Sequence, residues 1–478
     1  MGSKYSFIVI YLLITASLFI TFDAKLGVWL SFLASATIIT LATLYHIFIE
    51  KEYSPFLSAF IVFTFLFFLV APIIQINSFE SANPLFITLF PYNEGLVIYT
   101  NILISLFNLV FFGSYLLLKK YTPLRRIPKI SENSLRVLPV TILCISVLCV
   151  VFLIASYGFI QDEISRPNWL PSDYSIMALL GWKKVFFLVP LGGIILCFQY
   201  FKKENKKAIN FITIAAVMLF LLVLLIWFKN PLTEKRNALG PIYICLLFLF
   251  LPRLFNTNIK TLFFLFFSMI ILFPLSAILT HTDASFKEIA KDPNILLEHM
   301  KGGGVSGAFN TLNYDAFFNI TTTIDYVTVN GYSMGYQLLS GLLFFVPRSI
   351  WESKPNSTGQ LVGDYLIDDY GYKFNNLSNP LVSEGYINFG IVGVVLMAFA
   401  LALVIVKLLS WIKSDDYLKK IMALYFAMHL IFLLRGDFTN GFSYYIGTLI
   451  GVLVIPKTAQ FLIKQISISQ NRWKLSKK

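Results

Sequence analysis

The run Ile209-Asn-Phe-Ile-Thr-Ile-Ala-Ala-Val-Met-Leu-Phe-Leu-Leu-Val-Leu-Leu-Ile-Trp-Phe228, closed by Lys229, decides the architecture. It holds no charged side chain over a length that, as α-helix, crosses a hydrocarbon slab of ~30 Å. Working outward, similar apolar runs lie near 5–22, 28–49, 55–76, 97–118, 137–156, 185–201, 238–252, 261–280, 385–409, 421–436 and 441–462. The reading is an all-α polytopic membrane protein of about 12 transmembrane helices. Composition agrees: 57% of the 478 residues are hydrophobic and 13% charged, against roughly 25% charged in soluble domains. The first run has one preceding lysine and no small-residue cleavage pattern after it, so it reads as a retained helix rather than a signal peptide. The cysteines, Cys144, Cys149, Cys197 and Cys245, all lie in apolar segments without a CxxC spacing and read as core or lipid-facing residues.

The net charge of +13 sits in short clusters between apolar runs, which reports membrane topology rather than nucleic-acid binding. With the N-terminus inside, the cytoplasmic segments hold 22 basic and 6 acidic residues and the external ones 14 and 19. Residues 334–347 form a thirteenth apolar stretch, too short and glycine-containing for a confident crossing. Counting it as a span would put Lys413, Lys419, Lys420 and the basic tail outside, so it reads as re-entrant or interfacial. The expected organisation is a single membrane domain over 1–478 with a large external region at 281–384 and both termini cytoplasmic. A loop region of that size usually carries function.

Ionisable groups beside apolar helices cost several kcal/mol unless a partner or cavity receives them. Four places on the expected external face carry such groups: Lys229 to Asn237 with Lys235 and Arg236; Pro347 to Pro355 with Arg348 and Lys354; Ser383 to Gly390 with Glu384, Tyr386 and Asn388; and Leu434 to Phe438 with Arg435 and Asp437. Glu384 and Asn388 are four apart and share a face if the helix includes them. A shared cavity that binds anions and contains a carboxylate is the hypothesis. The bland alternatives are snorkelling for Arg236, pairing of Arg348 or Arg435 with Asp437 or Glu384, and a helix-dipole charge for Glu384.

Other signals carry less. Lys301-Gly-Gly-Gly304 lacks the strand and the Lys-Ser/Thr pair of a phosphate loop. His281 and His299 lack ligand spacing for zinc, and no metal or cofactor is expected. His46 and His429 read as structural, and Asp364, Asp368 and Asp369 as a solvated acidic loop.

The segment Phe345-Val-Pro-Arg348 with Trp351 and Lys354-Pro355, followed by Glu384-Gly-Tyr-Ile-Asn-Phe-Gly390 and Gly393, resembles Wzy-type O-antigen or oligosaccharide repeat unit polymerases. Glu234-Lys-Arg236-Asn237 and Arg435-Gly-Asp437 are similar to further features of that family, so the likeness covers about residues 229–440. Where the family has Trp-Pro after the arginine, this chain has Trp351-Glu352.

The resemblance implies a GT-C-like membrane glycosyltransferase on the external face of a bacterial inner membrane. It would join undecaprenyl-diphosphate-linked oligosaccharides for lipopolysaccharide or related polysaccharide, with a chain-length regulator and a flippase in the same pathway. Arg236, Arg348, Arg435 and Lys354 would then stabilise the departing diphosphate. Glu384, or in second place Asp437, would be the base, and Tyr386 and Asn388 would position substrate. A flippase should show broken polar helices near the midplane and often repeated halves, whereas here the costly charges concentrate at one expected face beside the large external region at 281–384, which favours an enzyme; an O-antigen ligase is the other rival.

Overall fold

The computed structural model describes residues 2–79, 89–121, 136–165, 174–202, 208–231, 234–273, 307 and 309–476. Every element among them is a helix, and ten are long and apolar enough to cross a membrane. In chain order the helices are α1 (Gly2–Ile20), α2 (Leu26–Ile49), α3 (Pro55–Asn77), α4 (Glu94–Tyr121), α5 (Leu138–Ala155), α6 (Tyr157–Ser165), α7 (Ile176–Phe201) and α8 (Ile209–Phe228). They continue with α9 (Arg236–Phe250), α10 (Asn258–Leu272), α11 (Ala316–Asn330), α12 (Tyr336–Leu342), α13 (Thr358–Tyr370), α14 (Leu381–Ile412), α15 (Tyr417–Arg435) and α16 (Phe438–Ser469).

Each of the twelve apolar runs has a helix at its position. Two of these, α9 and α10, are shorter than the other ten. The last residues expected in the run at 261–280 lie outside the described residues, as do His281, His299, Lys301-Gly-Gly-Gly304, Arg125, Arg126 and Lys129. The stretch at 334–347 contains only the seven-residue α12, about 10 Å of helix and well short of a crossing. The expected external loop region is more ordered than a loop, since its described part carries α11, α12 and α13.

The chain folds into two compact units. The first comprises residues 1–123, 252–406 and 427–442. Its centre is α3, which is apolar on all sides and 94% buried over its 18-residue window, as expected of a helix surrounded by other helices. The rings of Phe67 and Phe32 pack on Tyr314 and Phe317 at 4.8 and 5.3 Å, so the segment entering α11 belongs to this core. Where α2 ends, the buried Glu50 carboxylate receives Tyr115 Oη at 2.5 Å, Lys119 Nζ at 2.6 Å and His46 Nδ1, while His46 Nε2 meets Ser58 Oγ at 2.7 Å. His46 is therefore structural, as its place in an apolar helix suggests.

The second unit comprises residues 124–251, 407–426 and 443–478. Lys229 closes α8 and is only 1% exposed. Its ammonium donates to the Lys183 carbonyl at 2.6 Å and to Glu234 Oε2 at 3.0 Å. Lys183 in turn pairs with Glu163 and lies 3.7 Å from Glu234. Of the three cations anticipated at 229–236, Lys229 is thus paired inside its own unit, which is how a buried charge becomes tolerable.

Candidate functional site

Helix α14 is not continuous. Phe389 (φ −144°) and Gly390 (φ 60°) leave helical geometry, so residues 381–388 form one helical segment and 391–412 another. The two segments turn sharply against each other: a Cβ on Gly393 would lie 1.9 Å from the Gly385 carbonyl oxygen, and one on Gly385 would lie 2.6 Å from that of Gly393. Glycine is required at both positions because backbone meets backbone there. The run at 385–409 reads as one apolar helix in sequence, and the break corrects that expectation.

The break frees backbone groups that the neighbouring chain takes up. The Ile387 carbonyl accepts Ser333 N–H at 2.9 Å. Asn388 Nδ2 donates to the Glu384 carbonyl at 2.7 Å and to Glu384 Oε1 at 3.2 Å, so the expected shared face of Glu384 and Asn388 is real. Asn388 Oδ1 accepts from Ser333 Oγ at 3.0 Å and from Leu338 N–H at 3.1 Å. Leu338 is the third residue of α12, whose amide has no partner within the helix, so Asn388 serves as a cap supplied from another element. Glu384 is 2% exposed, with Thr358 and Asp437 as its further polar neighbours.

The other end of α12 is held by Lys354. Its ammonium donates to the carbonyls of Leu343, Phe344 and Val346 at 3.0, 3.0 and 2.9 Å, which uses all three of its N–H groups. A cation also complements the negative end of a helix. Burial first, then the nearby Arg348 charge, hold the Lys354 ammonium below its usual range. The Lys354 carbonyl accepts Arg348 Nη1 at 2.5 Å, and Asn356 Oδ1 accepts Arg348 Nη2 at 2.6 Å. Two of the five guanidinium N–H groups are fixed by the loop itself. The other three have no partner among the described residues, and Arg348 is exposed. The structure therefore gives the two cations of this segment different tasks: Lys354 closes the loop, and Arg348 presents a pre-oriented donor edge.

Asp437 is 8% exposed and stands at two helix starts. Oδ2 accepts the Gly359 amide of α13 at 3.1 Å, and Oδ1 accepts the Asn440 amide of α16 at 3.4 Å. Arg435 pairs with neither of the carboxylates considered for it. Its Nη2 donates to the Leu312 carbonyl at 2.6 Å and lies 3.4 Å from Asp315 Oδ1. Asp315 is 2% exposed and also receives Ser378 Oγ at 2.6 Å. Burial pushes the Asp315 carboxyl above the ordinary range while Arg435 opposes it. Residue patterns alone do not single out Asp315; its one signal is an aspartate just ahead of the Ala316-Phe317-Phe318 run, four residues before Asn319.

Tyr386 lies between two tyrosines, with ring centroids 6.1 Å from Tyr99 and 6.0 Å from Tyr332, both edge-to-face. Arg236 opens α9 in the second unit, after Lys235 in extended conformation. Asp364, Asp368 and Asp369 lie on α13, and Asp364 accepts Asn375 Nδ2 at 2.8 Å.

Glu384, Asn388, Lys354, Arg348 and Asp437 thus belong to one framework inside the first unit, built around α12, the break in α14 and the starts of α13 and α16. No curated protein and no solved structure matches the chain. Residues 361–465, which include Glu384, the Gly385–Gly393 crossing, Arg435 and Asp437, match the family described as O-antigen polysaccharide polymerase Wzy, and this supports the Wzy-type family for the chain.

Proposed function

We propose that the protein is a GT-C-like membrane glycosyltransferase that joins undecaprenyl-diphosphate-linked oligosaccharide repeat units on the external face of the inner membrane. The observation that carries the reading is the Arg348 loop, where a guanidinium is anchored through two of its donors and exposes the others. A planar fork with free N–H groups matches the paired oxygens of a diphosphate.

In the proposed reaction a sugar hydroxyl of the incoming unit attacks the anomeric carbon of the growing chain. The bond from that carbon to the diphosphate oxygen breaks, and the electron pair leaves with the lipid diphosphate. Arg348 stabilises the negative charge that develops there, which is worth most in a site with little water. Glu384 takes the proton of the attacking hydroxyl. Its hydrogen-bond partner Asn388 stands directly before the helix break at Phe389 and Gly390. Asn388 fixes the Glu384 side chain, and Tyr386 with Tyr99 and Tyr332 supplies an aromatic wall for the acceptor. Asp437 holds the starts of α13 and α16 in place, Arg435 anchors α15 through Asp315, and Lys354 sets the loop of Arg348. Arg236 remains a candidate diphosphate ligand on the family resemblance alone. A chain-length regulator and a flippase are proposed partners on the same basis.

The test uses purified protein in detergent with a lipid-diphosphate-linked repeat unit. Wild type should give a ladder of lengthened lipid-linked products. Arg348→Ala and Glu384→Gln should each lower the rate roughly 10²-fold or more, the size of a lost transition-state donor or general base. Movement of the lipid-linked sugar across proteoliposomes without a ladder would refute the polymerase and favour a flippase.

A further inference from the structure

Away from Arg348 and Glu384, a second group of side chains in the first unit has no role in the reaction above. Asp325 on α11 directs Oδ2 at two phenols of α13, accepting Tyr365 Oη at 2.5 Å and Tyr370 Oη at 2.9 Å. Its other oxygen accepts no hydrogen bond among the described residues, and no cation pairs with it there. Tyrosine rings cluster beside the carboxylate. Tyr365 sits 5.4 Å from Tyr326 and 5.8 Å from Tyr370, all at steep angles, and Phe90 backs Tyr370 at 5.1 Å. Tyr365 and Phe90 are buried, whereas Asp325, Tyr326 and Tyr370 are partly exposed.

A tie between two helices does not call for this chemistry. A neutral amide would accept the same two phenols, so the tie alone does not call for a carboxylate with a second oxygen left over. Burial and the Asp325 charge both raise the Tyr365 and Tyr370 phenols, so they stay protonated and act as donors. What the group offers is one carboxylate oxygen with no hydrogen bond among the described residues, beside two partly exposed aromatic rings. A pyranose ring complements both, with hydroxyl groups that donate and an apolar C–H face that packs on a ring.

We propose that Asp325, with Tyr326 and Tyr370 as walls and Tyr365 as the orienting phenol, is a sugar-binding subsite that takes one pyranose of the substrate oligosaccharide. That it holds the polymerase's own substrate rests on the proposed function; that it binds a sugar does not.

The test uses the full chain in nanodiscs. Saturation-transfer NMR with the methyl pyranosides of glucose, galactose, N-acetylglucosamine and rhamnose reads sugar binding, and the ladder assay reads KM and kcat for the lipid-linked unit. At least one glycoside should receive saturation from the wild-type protein. Asp325→Asn, which preserves shape, should weaken that binding about tenfold and raise KM by a similar factor with kcat little changed. Tyr365→Phe, which keeps the ring and removes one orienting hydroxyl, should produce a smaller shift in the same direction. Arg348→Ala should leave glycoside binding unaltered. Absence of saturation in wild type, or wild-type binding and KM in both Asp325→Asn and Tyr365→Phe, overturns the subsite even when the ladder forms. Glycoside binding that Asp325→Asn abolishes, in a protein that makes no ladder, leaves the subsite standing and removes the polymerase.

Discussion

Replacing Lys354 with methionine preserves the apolar stem and removes the charge, and its effect follows from the geometry. Three carbonyls, those of Leu343, Phe344 and Val346, lose donors at 2.9–3.0 Å. Each partly buried carbonyl left without a partner costs on the order of 1 kcal/mol, so the loss sums to about 3 kcal/mol before water reaches some of them. That is a large share of typical protein stability and should lower the melting temperature by a few degrees. The loop would also stop holding Arg348, because the carbonyl that fixes Nη1 belongs to Lys354 itself. Polymerisation should therefore fall through kcat as well as KM. Lys354→Arg should recover only part of the loss, since a planar fork cannot point three N–H groups at three converging carbonyls as an ammonium does. Thermal unfolding followed by intrinsic fluorescence, together with the ladder assay, reads both effects. A Lys354→Met protein with the wild-type melting temperature and a raised KM alone would refute the reasoning and make Lys354 a direct ligand of the diphosphate.

Three further outcomes follow. Gly393→Ala should prevent the crossing of the two segments of α14, because its methyl would lie 1.9 Å from the Gly385 carbonyl oxygen; loss of folded protein in size-exclusion chromatography checks it. Asp315→Asn should cost no more than about 1 kcal/mol at neutral pH, because its amide oxygen can still accept from Ser378 and Arg435 while the buried charge is removed; denaturant melts measure this. Burial raises the Asp315 carboxyl above its ordinary ~3.9, so the folded chain keeps that proton to higher pH than the unfolded chain. The stability from this group is then present below about pH 4 and lost as pH rises through the raised value, so the Asn variant's deficit should shrink across that window.

Much of the architecture is legible in the sequence because hydropathy reports which solvent a segment meets. Runs such as Ile209–Phe228 and Pro55–Asn77 have to be helices in hydrocarbon, whatever they pack against. The break at Phe389 and Gly390 is not legible: a glycine in an apolar run looks the same whether the helix continues or turns back, and only contact between Gly385 and Gly393 distinguishes the two. Helices α11 and α13 are hidden for a related reason. Their threonines, tyrosines and aspartates read as a polar loop, yet Thr321, Thr322 and Thr323 are buried with hydroxyls bonded back to the helix. Within the site, residue type identifies Glu384, Asn388 and Arg348 as unusual, and the fold groups them around α12. Residue type cannot separate Lys354 from Arg348, nor find Asp315 as the partner of Arg435, because both depend on which carbonyl or carboxylate the fold brings within reach of the cation.

The short helix α12 is fastened at its start by Asn388 and at its end by Lys354, which makes it a beam pinned at both ends between the carboxylate of Glu384 and the guanidinium of Arg348. A change at either pin shifts the whole beam, so Asn388 and Lys354, 34 positions apart in sequence, should act as a single mutational unit. The second substitution would then add little once the first has been made, and lineages that alter one would be free to alter the other.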